Sequence, residues 1–321
     1  MSRAKRPIPP PAHPSRRRAP LPWTSPKPPE EDPDAPQRVQ AILRSPTYIQ
    51  ADRDVGFLNL PGTRGVRLQI DYQKAELHMH RHGIVNTVVV FGSTRIREPA
   101  AARREVERLR AAVNARPEDS ALARRLRVAE RLLAKSRYYD VARRFGELVA
   151  RSGAGPQDSR LVVMTGGGPG IMEAANRGAF DARAATIGLN ITLPHEQFPN
   201  PYITPDLCFR FHYFAIRKLH FLLRAKALVV FPGGYGTLDE LFETLTLVQT
   251  RKIEPVPVVL VGEAYWRRVF DADFLVEEGT IDPEDRELFW FAETAEEIWE
   301  GILAWYEQAG RPLINHLPEA P

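Results

Sequence analysis

From residue 86 onward, short apolar runs alternate with amphipathic stretches. The runs NTVVVFGSTRI (86–96), RLVVMTGGG (160–168), TIGLNITL (186–193), LCFRFHYF (207–214), ALVVF (227–231) and PVPVVLVG (255–262) read as strands. RYYDVARRFGELVARSG (137–153), IRKLHFLLRAK (216–226) and the segments after GGGPG and PGGYG read as helices, as does the end of the chain. Near-continuous apolar strands are buried on both faces, and their alternation with helices predicts a parallel sheet covered on each side. The expected fold is therefore α/β: a doubly wound, Rossmann-like parallel sheet.

Residues 98–134 break this rhythm. They are strong helix formers of mixed charge, interrupted at Arg116-Pro117-Glu118-Asp119-Ser120. They predict a helical hairpin inserted after the first strand. Glutamates spaced three and four residues from arginines favour a solvated or dimer-facing pair over a nucleic-acid surface.

Upstream, PQRVQAILRSPTYIQA (36–51) predicts a short helix ended by Pro46. Residues 64–84 predict a helix with Leu68, Tyr72, Ala75 and Leu77 on one face. His78, His80 and His82 follow at spacing two, with His195 far downstream. Spacing two spreads ligands around a helix axis, so a solvated helix end is expected and no metal. The Pro/Arg-rich residues 1–36 have too little apolar surface to offset ordering and read as a disordered tail. The expected layout is tail 1–36, helical extension 37–84, nucleotide-binding domain 85–310 and C-terminal tail 311–321.

Composition narrows the picture modestly. Of the net charge of +4, residues 1–37 supply most, with seven Lys/Arg against four Asp/Glu. The remainder is nearly neutral, so no nucleic acid is expected as partner. One cysteine, Cys208, excludes an intrachain disulfide. The chain shows no run of about 18 apolar residues and no apolar segment behind Arg16-Arg17-Arg18, so neither membrane nor secretion is expected. A cytoplasmic location is the consequence.

Chemistry concentrates at three strand ends: Gly92-Ser93, Gly166-Gly167-Gly168-Pro169-Gly170 and Gly233-Gly234-Tyr235-Gly236-Thr237. Ligands of open parallel sheets sit at the carboxyl ends of strands. Glycines let backbone N–H groups approach an anion that the following helix dipole favours. The spacing matches neither the usual dinucleotide fingerprint nor a P-loop. Thr237-Leu238-Asp239-Glu240 has the form of a capping box, with Thr237 at the N-cap. The same carboxylate has a functional reading. Glu240 lies about one helical turn, some 5 Å, from a phosphate held at the glycines. There it suits a sugar carbon that becomes cationic during glycosidic cleavage. Arg217 and Lys218, at the start of the preceding helix, are the cations that offset repulsion. Phe211, Tyr213 and Phe214 are candidates for a base pocket, although an aromatic run on a strand is more often core.

These motifs resemble one family. PGGYGTLDE fits the P-G-G-x-G-T-x-x-E signature of the LOG ("Lonely guy") proteins, with Arg217-Lys218 fifteen residues before the signature proline. FGSTR, GGGPGIMEAANRGA, GLNITLPHEQFPNPY and FETLTLVQTRKI are similar to the larger bacterial branch. The resemblance covers about 86–305. It implies a phosphoribohydrolase that releases the base from AMP or an N6-prenylated relative, without cofactor, as a homodimer or larger homo-oligomer. It implies that Gly233, Gly234, Gly236 and Thr237 bind phosphate and that Glu240 and Arg217 carry catalysis. Gly92, Ser93, Arg95, Gly166, Gly167, Gly168, Gly170, Glu173, Asn190 and Lys218 would complete the nucleotide site. Two rival readings stand beside it: a carrier of nucleotide or molybdenum cofactor on the same fold, and a nucleic-acid-binding protein acting through its arginines.

Overall fold

The computed structural model describes residues 18–21, 24–193 and 198–314. His195 and most of the expected N- and C-terminal tails lie outside these residues. Contacts fall into two units, one ending at Arg67 and one beginning at Leu68. The first holds the short helices α1 (Ala35–Leu43) and α2 (Val55–Leu58) and the start of α3 (Arg64–Arg81). The Asp54 carboxylate caps α2, accepting from the Phe57 amide at 2.9 Å.

Among its described residues the second unit carries seven strands: β1 (Asn86–Phe91), β2 (Leu161–Thr165), β3 (Thr186–Ile191), β4 (Cys208–Phe211), β5 (Ala225–Val230), β6 (Val258–Val261) and β7 (Trp290–Ala292). All pairings are parallel, in the order β4-β3-β2-β1-β5-β6-β7. Between them run α4 (Pro99–Ala115), α5 (Ser120–Lys135), α6 (Arg137–Ala150), α7 (Ile171–Asp181), α8 (Phe214–Leu223), α9 (Tyr235–Gln249), α10 (Glu263–Val269) and α11 (Ala272–Glu277), and α12 (Ala295–Gln308) follows β7.

Every residue of β1 is buried, because both faces of the sheet are covered. Val88 and Val90 face a layer formed by Tyr139 and Phe145 of α6, Ala174 of α7, and Ile298 and Ile302 of α12. Val89 and Phe91 face the opposite layer, with Met79 of α3, Phe221 of α8, Leu241 of α9 and Trp266 of α10. Burying each such side chain stabilises by about 1.5–3 kcal/mol. The hairpin α4–α5 closes on a smaller core of Val106, Leu109, Leu122 and Ala129.

Three local expectations are corrected. The fourth strand ends at Phe211, not Phe214. The His212 and Tyr213 amides leave the ladder and donate to the Asp71 carboxylate of α3 at 3.1 and 2.9 Å, which starts α8 at Phe214. Leu77 is 55% exposed, whereas Ala75 and Met79 are buried. Residues four apart share a helix face, and one two positions away does not. The third correction, to the cap of α9, belongs to the site.

Strand order reverses at β1: the chain steps outward from β1 to β4, then returns to place β5 on β1's other side. Loops leaving β1 and β5 therefore diverge and open a crevice. The Ser93 amide still donates to the Pro232 carbonyl at 2.9 Å, joining the two loops at its floor.

Candidate active site

The crevice is a cleft of about 840 Å³. Of the residues singled out from the sequence, Gly92, Ser93, Arg95, Gly166, Arg217, Gly233, Gly234, Gly236 and Thr237 line it. All but Arg217, which α8 carries, follow β1, β2 or β5, three adjacent strands.

Geometry demands glycine at several of these positions, two of which bear on the site. Gly170 has φ +74°, and a Cβ there would lie 2.4 Å from the Ser93 carbonyl oxygen. Gly233 meets a contact limit instead: a Cβ would lie 2.1 Å from Thr237 Oγ1. The Thr237 side chain thus folds over Gly233, and this overturns the capping-box reading. Gly234 is the N-cap of α9, in extended conformation, and has no side chain with which to cap the helix. The Thr237 and Leu238 amides donate to the Gly234 carbonyl at 2.9 and 3.0 Å. Glu240 is therefore well inside α9 rather than at its third position.

That register puts Glu240 on the buried face. Thr237, Glu240, Leu241, Thr244 and Val248 are the buried residues of α9. A carboxylate on the core stripe of its own helix breaks the pattern that folding alone selects. Among the described residues it takes no hydrogen bond from a side chain, and Arg217 Nη2 stands at 3.8 Å from Oε1. Burial dominates and pushes the Glu240 carboxyl up to about 7, against the pull of Arg217 and Lys218. Burial also lowers the Arg217 guanidinium, which Glu240 and Asp239 support. Arg217 is further held between the rings of Phe214 and Phe221, at 5.2 and 5.3 Å. Its Nε is buried and has no hydrogen-bond partner among the described residues.

Lys218 faces other acids. Its Nζ donates to Asp239 Oδ1 at 3.0 Å and pairs with Glu243 Oε2 at 2.9 Å. Burial works against the Lys218 ammonium, but these two carboxylates outweigh it and raise its pKa. The acids that open α9 are thus matched one helix away.

α8 is itself positioned by α3. Asp71 takes the amides at its start, as described above. At its far end Arg224 donates to Glu76 through both terminal nitrogens at 2.5 and 2.7 Å, and His220 Nδ1 lies 3.2 Å from Glu76 Oε1. Burial alone would raise the Glu76 carboxyl, yet His220 and Arg224 hold it down to about 2.

Other candidates are placed elsewhere. Gly167, Gly168 and Gly170 shape their turn without lining the cleft. Asn190 packs against Gly167, with the Cys208 thiol 3.6 Å from its Oδ1. Glu173 accepts from the Tyr139 hydroxyl at 2.8 Å, on the α6 side of α7. Phe211 is core, while Phe214 lines the cleft and is 51% exposed.

Several lining residues were not foreseen. Tyr265 of α10 lines the cleft, and its hydroxyl donates to the Gly233 carbonyl. Val128, Arg131, Leu132 and Lys135 make the hairpin helix α5 a wall of the cleft. Their spacing marks one helix face, but nothing local says what that face meets. A buried network holds the glycine turn: Thr165 Oγ1 donates to Asn176 Oδ1 at 2.7 Å and accepts the Gly167 amide at 2.9 Å. Asn200 Nδ2 donates to the Gly168 carbonyl at 3.1 Å.

Fold and cleft place the molecule among doubly wound α/β proteins with a site at the switch point. A family model described as "Possible lysine decarboxylase" matches residues 172–302. Cytokinin riboside 5′-monophosphate phosphoribohydrolase LOG3 of Arabidopsis thaliana is 32% identical over 169 residues, 51% of this chain and 74% of that one. LOG1 of the same plant is 32% identical over 170 residues, with the same coverage. A probable enzyme of this name from rice, LOGL3, is 29% identical over 44% of this chain and 67% of its own. The chain belongs to the LOG family.

Proposed function

We propose that the protein hydrolyses the N-glycosidic bond of a purine nucleoside 5′-monophosphate, AMP or an N6-prenylated AMP, to free base and ribose 5-phosphate. The observation that carries this reading is the buried Arg217–Glu240 pair, between one and two turns beyond a glycine-lined helix start. The names of the relatives, all phosphoribohydrolases of nucleoside monophosphates, support the same class.

The chemistry follows from the geometry. The Tyr235 and Gly236 amides that open α9 suit the 5′-phosphate, with the Thr237 hydroxyl beside them. Bound so, the sugar points along α9 toward Glu240. As the bond from the anomeric carbon to the base nitrogen breaks, its electron pair leaves with the base, which takes up a proton. The sugar carbon becomes oxocarbenium-like, and the Glu240 carboxylate stabilises that charge. Water attacks the same carbon and yields its proton to Glu240, which passes it to solvent in place of the one the base took up from solvent. Arg217 keeps Glu240 ionisable near neutrality and offsets its repulsion from the phosphate. A carrier needs to hold a phosphate but gains nothing from a buried acid beside it.

We also read the protein as a cytoplasmic homo-oligomer, at least a dimer. Exposed Tyr235, Phe214, Leu219 and Leu223 on α8 and α9 support a covered apolar face. Light scattering of the purified protein tests this.

The direct test of the activity is incubation with AMP, with chromatography of the products. Equimolar adenine and ribose 5-phosphate are expected. Absence of release from AMP, its N6-prenylated relatives and other monophosphates overturns the hydrolase reading in favour of a carrier.

A further inference from the structure

A second groove, of about 410 Å³, opens beside the cleft. Its floor is apolar, with Ala102 and Leu109 of α4 and Ala129 and Leu132 of α5. Four arginines stand around it: Arg95, Arg97, Arg124 and Arg125. Thr94, Arg95, Val128 and Leu132 belong to both walls, so groove and cleft are neighbours.

Its charge is not balanced. Among the described residues none of these four arginines has a carboxylate within 4 Å. Glu105 is the acid in the groove wall, and Arg108 already holds it through a bidentate contact at 2.7 and 2.9 Å. Two other arginines of the hairpin are paired, Arg110 with Glu130 and Arg108 with Glu105. The groove gathers four arginines, Arg95 and Arg97 from the loop after β1 and Arg124 and Arg125 from α5, around a single acid. Like charges gathered around a concave, low-dielectric wall raise the local potential, and a bound anion relieves it. Guanidinium groups match phosphate oxygens by paired donation, and four of them exceed what one phosphate can use.

We propose that this groove binds an oligophosphate, two or three linked phosphates, as a site separate from the cleft. A nucleic-acid strand fits less well. Its backbone would run past the groove over mixed charge, with Glu107 and Glu130 among the arginines of the two helices and Glu118 and Asp119 in the turn between them. The oligophosphate comes either free or as part of a nucleoside triphosphate. The proposal does not depend on the hydrolase reading, since binding is measured without turnover.

The probe is inorganic tripolyphosphate, titrated calorimetrically into the full-length protein with and without saturating AMP, and ATP is titrated in parallel. Saturable 1:1 binding that survives AMP is expected. The double variant Arg124→Ala/Arg125→Ala should bind at least tenfold more weakly. Arg124→Lys/Arg125→Lys, which keeps the charge, should stay within about threefold and guards against misfolding of the alanine pair. Tighter binding of ATP than tripolyphosphate assigns a nucleotide source, and equal binding a free oligophosphate. Displacement by AMP, or unchanged affinity in the alanine pair at wild-type melting temperature, overturns the proposal. So does tighter binding of a single-stranded oligoribonucleotide than of either phosphate.

Discussion

Arg217 Nη2 and Glu240 Oε1 lie 3.8 Å apart, close enough to attract and too far to hydrogen-bond, with side chains 14% and 4% exposed. Burial is the largest influence on both and drives each toward its neutral form. Desolvation of such a pair can exceed its Coulomb gain, so the pair is a poor stabilising device. Its arrangement leaves the carboxylate responsive to whatever enters the cleft.

Glu240→Gln removes the charge while keeping the shape. The folded protein should bind the nucleotide with KM changed by a few fold at most, and kcat should fall by about 10²–10⁴-fold. Steady-state kinetics on AMP measures both. Turnover near wild type would take Glu240 out of the reaction.

The pH profile follows from the same residue. If the carboxylate is the active form, kcat/KM rises as Glu240 loses its proton near pH 7. Arg217 favours the charged form, so Arg217→Met should move this rising limb to higher pH as well as reduce the rate. A limb that stays in place would separate Glu240 from the observed titration.

Stability should respond to pH in opposite senses at two carboxylates. Glu76 is held down to about 2, against 4.5 unfolded. Its contribution is complete above pH 4.5 and is lost as pH falls toward 2. Glu240 is raised to about 7. The folded state then binds the proton more tightly than the unfolded state, and stability falls as pH rises from 4.5 through 7. Urea unfolding across pH 4.5–8 should therefore show Glu240→Gln gaining on wild type as pH rises, by about 1–3 kcal/mol. Glu76→Gln should lose a similar amount at neutral pH and recover toward wild type in acid.

Two glycines of one turn should separate folding from binding. Gly233→Ala forces a methyl against Thr237 Oγ1. It should destabilise by about 1–3 kcal/mol and raise KM. Gly236→Ala meets nothing within 4 Å and lies in a helix, where alanine is favoured by up to about 1 kcal/mol. It should melt no lower than wild type yet weaken phosphate binding, because its methyl stands where the anion approaches. Thermal melts and KM values for both variants decide this.

Tyr265→Phe removes the hydroxyl that holds the Gly233 carbonyl from α10. A loss of about 1 kcal/mol in stability is expected, with KM raised and kcat little changed. A kcat effect alone would give Tyr265 a different task.

Much of this molecule was written locally. Apolar runs and amphipathic stretches alternate within a few residues of chain, and that periodicity determined strands, helices and a parallel sheet. Glycines at the ends of β1, β2 and β5 marked the ligand side, because chain direction alone puts all parallel strand ends on one edge. PGGYGTLDE with Arg217-Lys218 pointed to the family. Tertiary structure decided what those residues meet. Thr237 lost the cap position to Gly234 because its side chain packs over Gly233, which no spacing rule records. Glu240 became buried only once α8 and α9 lay side by side. Asp71 and Glu76 hold α8 from 141 and 148 residues away. The wall made by α5, the anchor at Tyr265 and the unpaired arginines of the second groove arise the same way. Contacts between distant segments depend on how layers pack, and a single chain's local pattern carries helix faces but not the surfaces they will face.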